Sequence, residues 1–309
     1  MTSIDQAVLE LPAATPASRP AASPAPIKTE PSVHGNLRRA RRLPAIAVLL
    51  AGLFILALVV AAAAPQWLTP HDPLEGDFLA VLQPPGGEHL FGTDRLGRDV
   101  FARTVHGARY SLCIGLGSTA VSVFFGVLLG VVAGQRNRLL DESISRLLDV
   151  ISSFPGVLLA MLVVIFLGQG MANIAIAVGI AGIPKFGRVV RAQTQVVRNA
   201  DYVTHAFIYG RSRLQVFLRH VLPNVLVAVP VTATIYVGST ILATSGLSFL
   251  GLGPQPPTPE WGVMLAESRD VLRVAWWPGV FPGAAITLTV IAFTVLGNDL
   301  QRRFEGRSA

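Results

Sequence analysis

Six apolar runs constrain this chain more than any other feature, because each is long enough to carry a helix across the roughly 30 Å core of a bilayer, a crossing that takes about 20 helical residues. They fall at Pro44 to Ala64, Leu112 to Ala133, Ile151 to Gly168, Asn173 to Pro184 with its continuation, Val225 to Leu247, and Pro278 to Gly297. The fourth run is interrupted in "GIAGIPKFG", where a kink at Pro184 with Lys185 snorkelling to the interface would complete the span. Composition agrees, since only 14% of the 309 residues are charged and the mean hydropathy is +0.55, whereas soluble domains carry about a quarter charged residues. The expected fold is all-α, a polytopic membrane protein with six transmembrane helices. The single cysteine, Cys113, lies in an apolar run and leaves neither a disulfide framework nor a thiolate metal cluster.

Basic residues set the expected orientation. They crowd ahead of the first span (Arg38, Arg39, Arg41, Arg42), between Arg136 and Arg146, from Lys185 to Arg219, and at the C-terminal end, and are sparse in the alternate connections. The positive-inside rule then puts both termini on the cytoplasmic side of the membrane. Residues 1–42, rich in Pro, Ala and Ser, read as a disordered cytoplasmic tail ahead of a transmembrane domain at 43–309. The first apolar run begins only after "RRARR" and is long enough to anchor, so no cleavable signal peptide is expected. Those arginines read as a topology signal and not as a nucleic-acid patch, so no nucleic acid is expected as a partner. The connection at 65–111 is expected outside and the loop at 185–224 inside.

The apolar cores contain no Asp, Glu, Lys, Arg or His, the usual marks of proton relays and ion sites. Lys28 and Lys185, the only lysines, follow Ile27 and Pro184, so no Gly-Lys pair of a phosphate-binding loop exists; the histidines form no HExxH and no serine sits in GxSxG. No catalytic residue, no metal site and no cofactor bound by this chain is therefore expected. If the chain drives uphill transport, the energy comes from another chain. A channel or carrier and a membrane enzyme are the competing classes, and both lack their usual residue signatures here.

Gly126, Gly130 and Gly134 in "FFGVLLGVVAG" recur every four residues on one helix face, a spacing that lets helices approach closely in lipid, either within the chain or at a subunit interface. Pro155, Pro184 and Pro230 are expected to bend three spans. After the fourth span, Arg188, Arg191, Gln195 and Arg198 form one stripe of an amphipathic continuation, with Val189, Val190, Val196 and Val197 opposite. Asp201 is a candidate cap for a short helix, "YVTHAFIY", that Gly210 ends in a left-handed conformation; Ser212 is a candidate cap for the next, and Pro223 suits the first turn of the fifth span. A helix, a reversal and a helix standing proud of the bilayer read as a knob for docking a partner.

At this point the residues resemble a known family. "DYVTHAFIYGRSRLQVFLRHVLPN" resembles the cytoplasmic signature loop of ABC importer permeases, Glu-Ala-Ala followed after three residues by Gly, with His-x-Leu-Pro-Asn further on in the peptide branch. Gly210, His220, Leu222, Pro223 and Asn224 match, and Ala206 is kept, while Thr204 and His205 stand where Glu and the first Ala are usual. "HLFGTDRLGRDVFARTVHGARYSL" and "SGLSFLGLGPQPPTPEWGVMLAE" are similar to segments of the dipeptide/oligopeptide/nickel subfamily, extending the likeness over about Leu43 to Phe304. The resemblance implies the second permease of a heterodimeric pair, one or two ABC ATPase subunits that bind ATP and Mg, an extracytoplasmic solute-binding protein, and a peptide substrate, with nickel or an opine-type metallophore as the alternative. It implies ATPase coupling through Asp201, Thr204, His205, Ala206 and Gly210, anchored by Arg219, His220, Leu222, Pro223 and Asn224.

Outside, Asp94, Arg95, Arg98 and Asp99 of "GTDRLGRD" either pair with one another or present a charged rim to a docking solute-binding protein. Trp276 and Trp277 read as an aromatic belt before the last span, and "PQPPTPEW" as a stiff structural turn.

Overall fold

Close approach between two long helices organises the molecule. In the computed structural model, which describes residues 45–135 and 137–305, helix α2 (Val100–Ala133) runs parallel to α5 (Met171–Arg198). The glycine stripe of α2 faces α5: a Cβ added at Gly126 would come within 2.5 Å of the Phe186 Cβ, and one at Gly130 within 2.6 Å of the Gly187 carbonyl oxygen. Gly179, Gly182 and Gly187 of α5 are as crowded by α2 and its neighbours, so small residues line both sides of the seam. The packing of Gly126, Gly130 and Gly134 thus lies within this chain. Interhelical hydrogen bonds reinforce it, Ser122 Oγ donating to the Gly179 carbonyl (2.7 Å) and Thr240 Oγ1 of α9 (Val229–Phe249) to the Gly115 carbonyl (3.0 Å). In lipid, where burial of apolar surface gives helices little mutual attraction, such fits and bonds carry the association.

The remaining spans wrap this pair. Helix α1 (Ala45–Ala63) lies against α2 and α11 (Trp277–Glu305), and α11 packs on α9. Four helices among the described residues are long and apolar enough to cross a membrane, and two bent pairs bring the number to six if each is one span. The chain divides at Arg42/Leu43, and every described residue belongs to the second unit; the tail read at 1–42 lies outside the described residues, as do Arg136 and the last four positions.

Several expected boundaries move. The third span is not one straight helix over Ile151 to Gly168: α3 (Arg138–Ser153) and α4 (Gly156–Leu167) meet at 91°. The break comes at Phe154-Pro155, where the residue before proline is forced extended (Phe154 ψ 139°). Helix α2 starts at Val100 and not near Leu112, because the Asp99 carboxylate accepts from the Ala102 amide (2.6 Å) and caps the helix there, so the connection expected over 65–111 is irregular only to Asp99. Helix α5 runs through Pro184 without interruption to Arg198, which shortens the loop expected at 185–224 to the chain after Arg198. The Lys185 ammonium lies over the Tyr236 ring, 4.7 Å from the centroid. The fifth span begins at Val229, bent by 42° from the preceding helical stretch, with Pro230 in its first turn.

The basic stripe of α5 is absorbed by the chain itself. Arg191 pairs with Asp141 of α3 in a fork whose longer arm is 2.9 Å, Arg188 reaches Asp149 (3.2 Å), and Arg198 donates to the Gly134 carbonyl (2.8 Å). Leu148 of α3 is buried against Gly187 between these pairs.

The seam gives a direct test. Gly130→Leu forces a side chain into the α5 backbone and is expected to cost about 1–3 kcal/mol or more by overpacking, read as a lower melting temperature in detergent and reduced membrane abundance. Gly52→Leu on α1, with nothing within 4 Å of its Cβ position, is expected to leave both at wild-type values; equal losses in the two variants would count against the seam.

Candidate functional site

Two ends of the bundle carry the polar structure. At one end, after α5, the chain builds a projecting arm. Helix α6 (Asp201–Ile208) is followed by α7 (Arg213–Val216), a π-helical turn over Phe217–Val221, and α8 (Leu222–Leu226). Gly210 has φ +77°, its amide donates to the Phe207 carbonyl (2.9 Å) and the Arg211 amide to the Ala206 carbonyl (3.3 Å), the paired bonds of a Schellman ending. Ser212 then opens α7 with a reciprocal capping box to Gln215, both bonds 3.3 Å. The left-handed glycine and the serine cap are therefore where the sequence puts them. Asp201 is not the cap: Ala200 holds that position without a side-chain bond, and Asp201 is the first helical residue, where its charge faces the positive end of the helix dipole. The π-helical turn has a local cause, since Pro223 lacks the amide that would bond to the Arg219 carbonyl, and the Leu222 amide reaches back to Phe217 instead.

The arm is held by an apolar cluster of Val190, Val203, Ala206, Val216, Val221, Val225 and Val229. That set joins α5, α6, α7 and the start of α9. Ala206, expected at the partner's surface, faces inward for this reason, as its side chain is small enough to seat α6 on the bundle. Thr204, His205, Asp201 and Arg219 remain on the outer side, Leu222 is half-buried and Pro223 exposed. Arg211 Nη1 meets His220 Nε2 (3.1 Å) across the arm, while Asn224 Nδ2 donates to the His220 carbonyl (2.7 Å) one turn back along its own helical stretch. Residues not singled out from the sequence dominate the exposed surface: Ile208 is 75% and Tyr209 83% exposed, and Leu214 and Leu218 are exposed beside them. For Ile208 and Tyr209 the signal was present as large apolar residues just before the glycine stop, where a helix end has no core to enter.

At the opposite end, the charges of "GTDRLGRD" are drawn inside. Arg98 Nε donates to Asp94 Oδ2 (2.7 Å) and its Nη2 to Glu267 Oε1 (3.0 Å), while Arg103 Nη2 donates to Glu267 Oε2 (2.7 Å). Asp99, besides capping α2, lies 2.8 Å from His89 Nδ1. Asp94, Arg98 and Asp99 are buried, so they are no docking rim; of the four only Arg95, 44% exposed and 3.8 Å from Glu267, stays at the surface. The reason is Glu267 on α10 (Trp261–Ser268), whose carboxylate bridges both arginines and which sequence spacing could not bring across to residue 98. The Arg103 side chain is wholly buried. Glu260 is wholly buried as well: it caps α10 through the Val263 amide (2.9 Å) and accepts from Ser111 Oγ (3.2 Å), and burial pushes its carboxyl up. Trp277 is also a correction to the expected belt, since its ring is buried and Nε1 donates to the Thr93 carbonyl (2.9 Å), leaving only Trp276 half-exposed. Among the described residues no group of three or more His, Cys, Asp or Glu could hold a metal ion.

Removing one member of a buried charge network leaves its partners uncompensated, a loss of about 3–5 kcal/mol. Glu267→Ala, which strands Arg98 and Arg103, is expected to lower thermal stability by that order, whereas Glu142→Ala, from the exposed pair with Arg138, is expected to change it by less than about 1 kcal/mol. Melting curves of the purified protein compare the two, and similar small shifts would contradict the buried network.

Comparison with known proteins places this architecture. The model of the family described as binding-protein-dependent transport system inner membrane component matches residues 126–309. A di/tripeptide transport system permease protein of Pseudomonas aeruginosa (strain UCBPP-PA14) is 43% identical over 257 residues, covering 81% of this chain and 84% of that protein. A glutathione transport system permease protein of Pectobacterium atrosepticum is 41% identical over 252 residues, covering 81% and 84%. Among solved structures, an amino acid ABC transporter crystallised with histidines aligns at a TM-score of 0.52 and 14% identity, over 65% of this chain and 94% of that one, a likeness of fold alone. The glycine-sealed helical bundle, the braced arm and these matches together make the chain a member of the binding-protein-dependent transport system inner membrane components, the permeases of ABC importers.

Proposed function

We propose that this chain is the second permease of a heterodimeric ABC importer for short peptides, with a homologous permease beside it, one or two ATPase subunits on the arm, and a solute-binding protein on the opposite end. The observation that carries the coupling role is the arm itself: an exposed apolar crest of Ile208, Tyr209, Leu214 and Leu218 on a base anchored in the Val190–Val229 cluster. Such a crest on a cytoplasmic projection calls for a protein cover, and its base transmits a push directly to α5 and α9. ATP and Mg act on the partner subunit, and this chain contributes motion, not chemistry: repacking of its helices opens the path to one side and then the other. The relatives named for di/tripeptides and for glutathione support a peptide substrate. The basic residues around the arm support a cytoplasmic position for it and for both termini.

Two experiments test this reading. In the complete transporter reconstituted with its binding protein, uptake of a tripeptide is expected to require ATP. Gly210→Val is expected to cut that uptake and ATPase copurification by at least about fivefold, because a left-handed β-branched residue costs about 1–2 kcal/mol. Nothing lies within 4 Å of a Cβ at Gly210, so the effect is one of backbone alone and Gly210→Asn is expected to restore most of it. Wild-type copurification and uptake in Gly210→Val would defeat the coupling role. For orientation, with Cys113 replaced, Gln255→Cys is expected to react with an impermeant thiol reagent on intact cells and Gln215→Cys only after lysis; the reverse pattern would invert the topology.

A further inference from the structure

A cleft of about 760 Å³ opens between α5, α9 and the end of α11 on the arm side of the bundle. Lys185, Gln193, Asn224 and Thr232 line it together with Val231 and Ile235. This lining contrasts with the other outward faces of the spans, where Leu49, Leu53 and Leu56 of α1 and Val280, Leu288 and Ile291 of α11 suit lipid. Lys185 is the only lysine among the described residues. Its neighbour Phe186 meets Gly126, about two helical turns, roughly 10 Å, before the end of α2. No ion pair among the described residues uses it, although the arginines further along α5 each find a carboxylate or carbonyl of this chain. Its ammonium is steadied over the Tyr236 ring, 4.7 Å from the centroid, and turned to the cleft. A fixed cation on a wall of mixed polar and apolar residues, without a protein anion among the described residues, is placed to meet an anion that enters the cleft.

From this arrangement we infer that Lys185 is a subsite for the carboxylate of the transported solute on the cytoplasmic half of its path, with Asn224 and Thr232 on the wall leading to the arm. The inference rests on the peptide reading above, since the C-terminal carboxylate is the one negative charge that all short peptides share. The ammonium donates to that carboxylate as the solute leaves the opposite end, and the openness of the cleft keeps the contact weak enough to release. The aromatic ring behind Lys185 holds the charge without neutralising it, which a carboxylate partner would do. Lys185 thus gives one end of an otherwise variable solute a fixed foothold.

The test is a double-substitution cycle in the complete reconstituted transporter, measuring ATP-driven uptake of a tripeptide and of its C-terminal amide, each at a concentration that saturates the binding protein. In wild type the acid is expected to be taken up about tenfold faster than the amide, the value of one charge-assisted hydrogen bond. Lys185→Gln is expected to bring the acid down to the amide's rate, and Lys185→Arg to keep the preference. The acid-to-amide ratio is internal to each preparation, so differences in protein amount do not affect it. An unchanged ratio in Lys185→Gln overturns the inference and leaves the peptide reading standing, whereas wild-type vesicles that take up neither peptide sink that reading and this inference with it.

Discussion

Contact between α2 and α5 at backbone distance is the constraint on which the rest of the structure depends. Lipid does not squeeze helices together, so the pair must fit. Fit here means glycine: Gly126 and Gly130 on α2 against Phe186, Gly187 and Val190 on α5, with Gly134 reaching Thr194. Because α5 continues beyond its span to Arg198, the seam also fixes the direction in which the chain leaves the membrane. The arm then inherits its position from that exit, and α9 returns beside α2 with Thr240 bonded into the same layer.

The two ends of the bundle solve different problems with the same residue types. At the loop end, charge is buried, and Asp94, Arg98, Arg103 and Glu267 neutralise one another in a network that staples α10 to the start of α2. Such a network is costly to form and more costly to break, so its value is in fixing one arrangement of a connection that has little helix to stiffen it. At the arm end, charge stays half in water: Arg188 and Arg191 reach across to Asp149 and Asp141 and tie α3 alongside α5. The two ends thus differ in how deeply their ion pairs are buried.

Much of this was legible in the sequence where the cause is local. Gly210 and Ser212 do what their spacing announces, because a Schellman ending and a capping box each close within six residues. Pro155 breaks a span and Pro184 does not, yet the two look alike in the chain; the difference is that α5 is embraced by α2 around Pro184 while the turn at Phe154 is open. The tryptophans were misread for a related reason. Trp276 and Trp277 are adjacent, and only the docking of the 78–99 segment under the start of α11 decides that one is buried and hydrogen-bonded to Thr93 and the other is not.

By itself the sequence determined that the chain lives in a membrane, that it is helical, and that Gly210 ends one short helix and Ser212 caps the next in a punctuated basic segment, since hydropathy, periodicity and turn chemistry act over a few residues. Only the tertiary structure decided which charges would be spent inside the chain and which would remain for other molecules. Arg98 finds Glu267 across 169 positions and is buried, while Lys185 finds no carboxylate among the described residues and lies over the Tyr236 ring at the edge of the cleft. The physical reason is that an ion pair depends on distance in space, and distance between remote residues is set by how the helices pack.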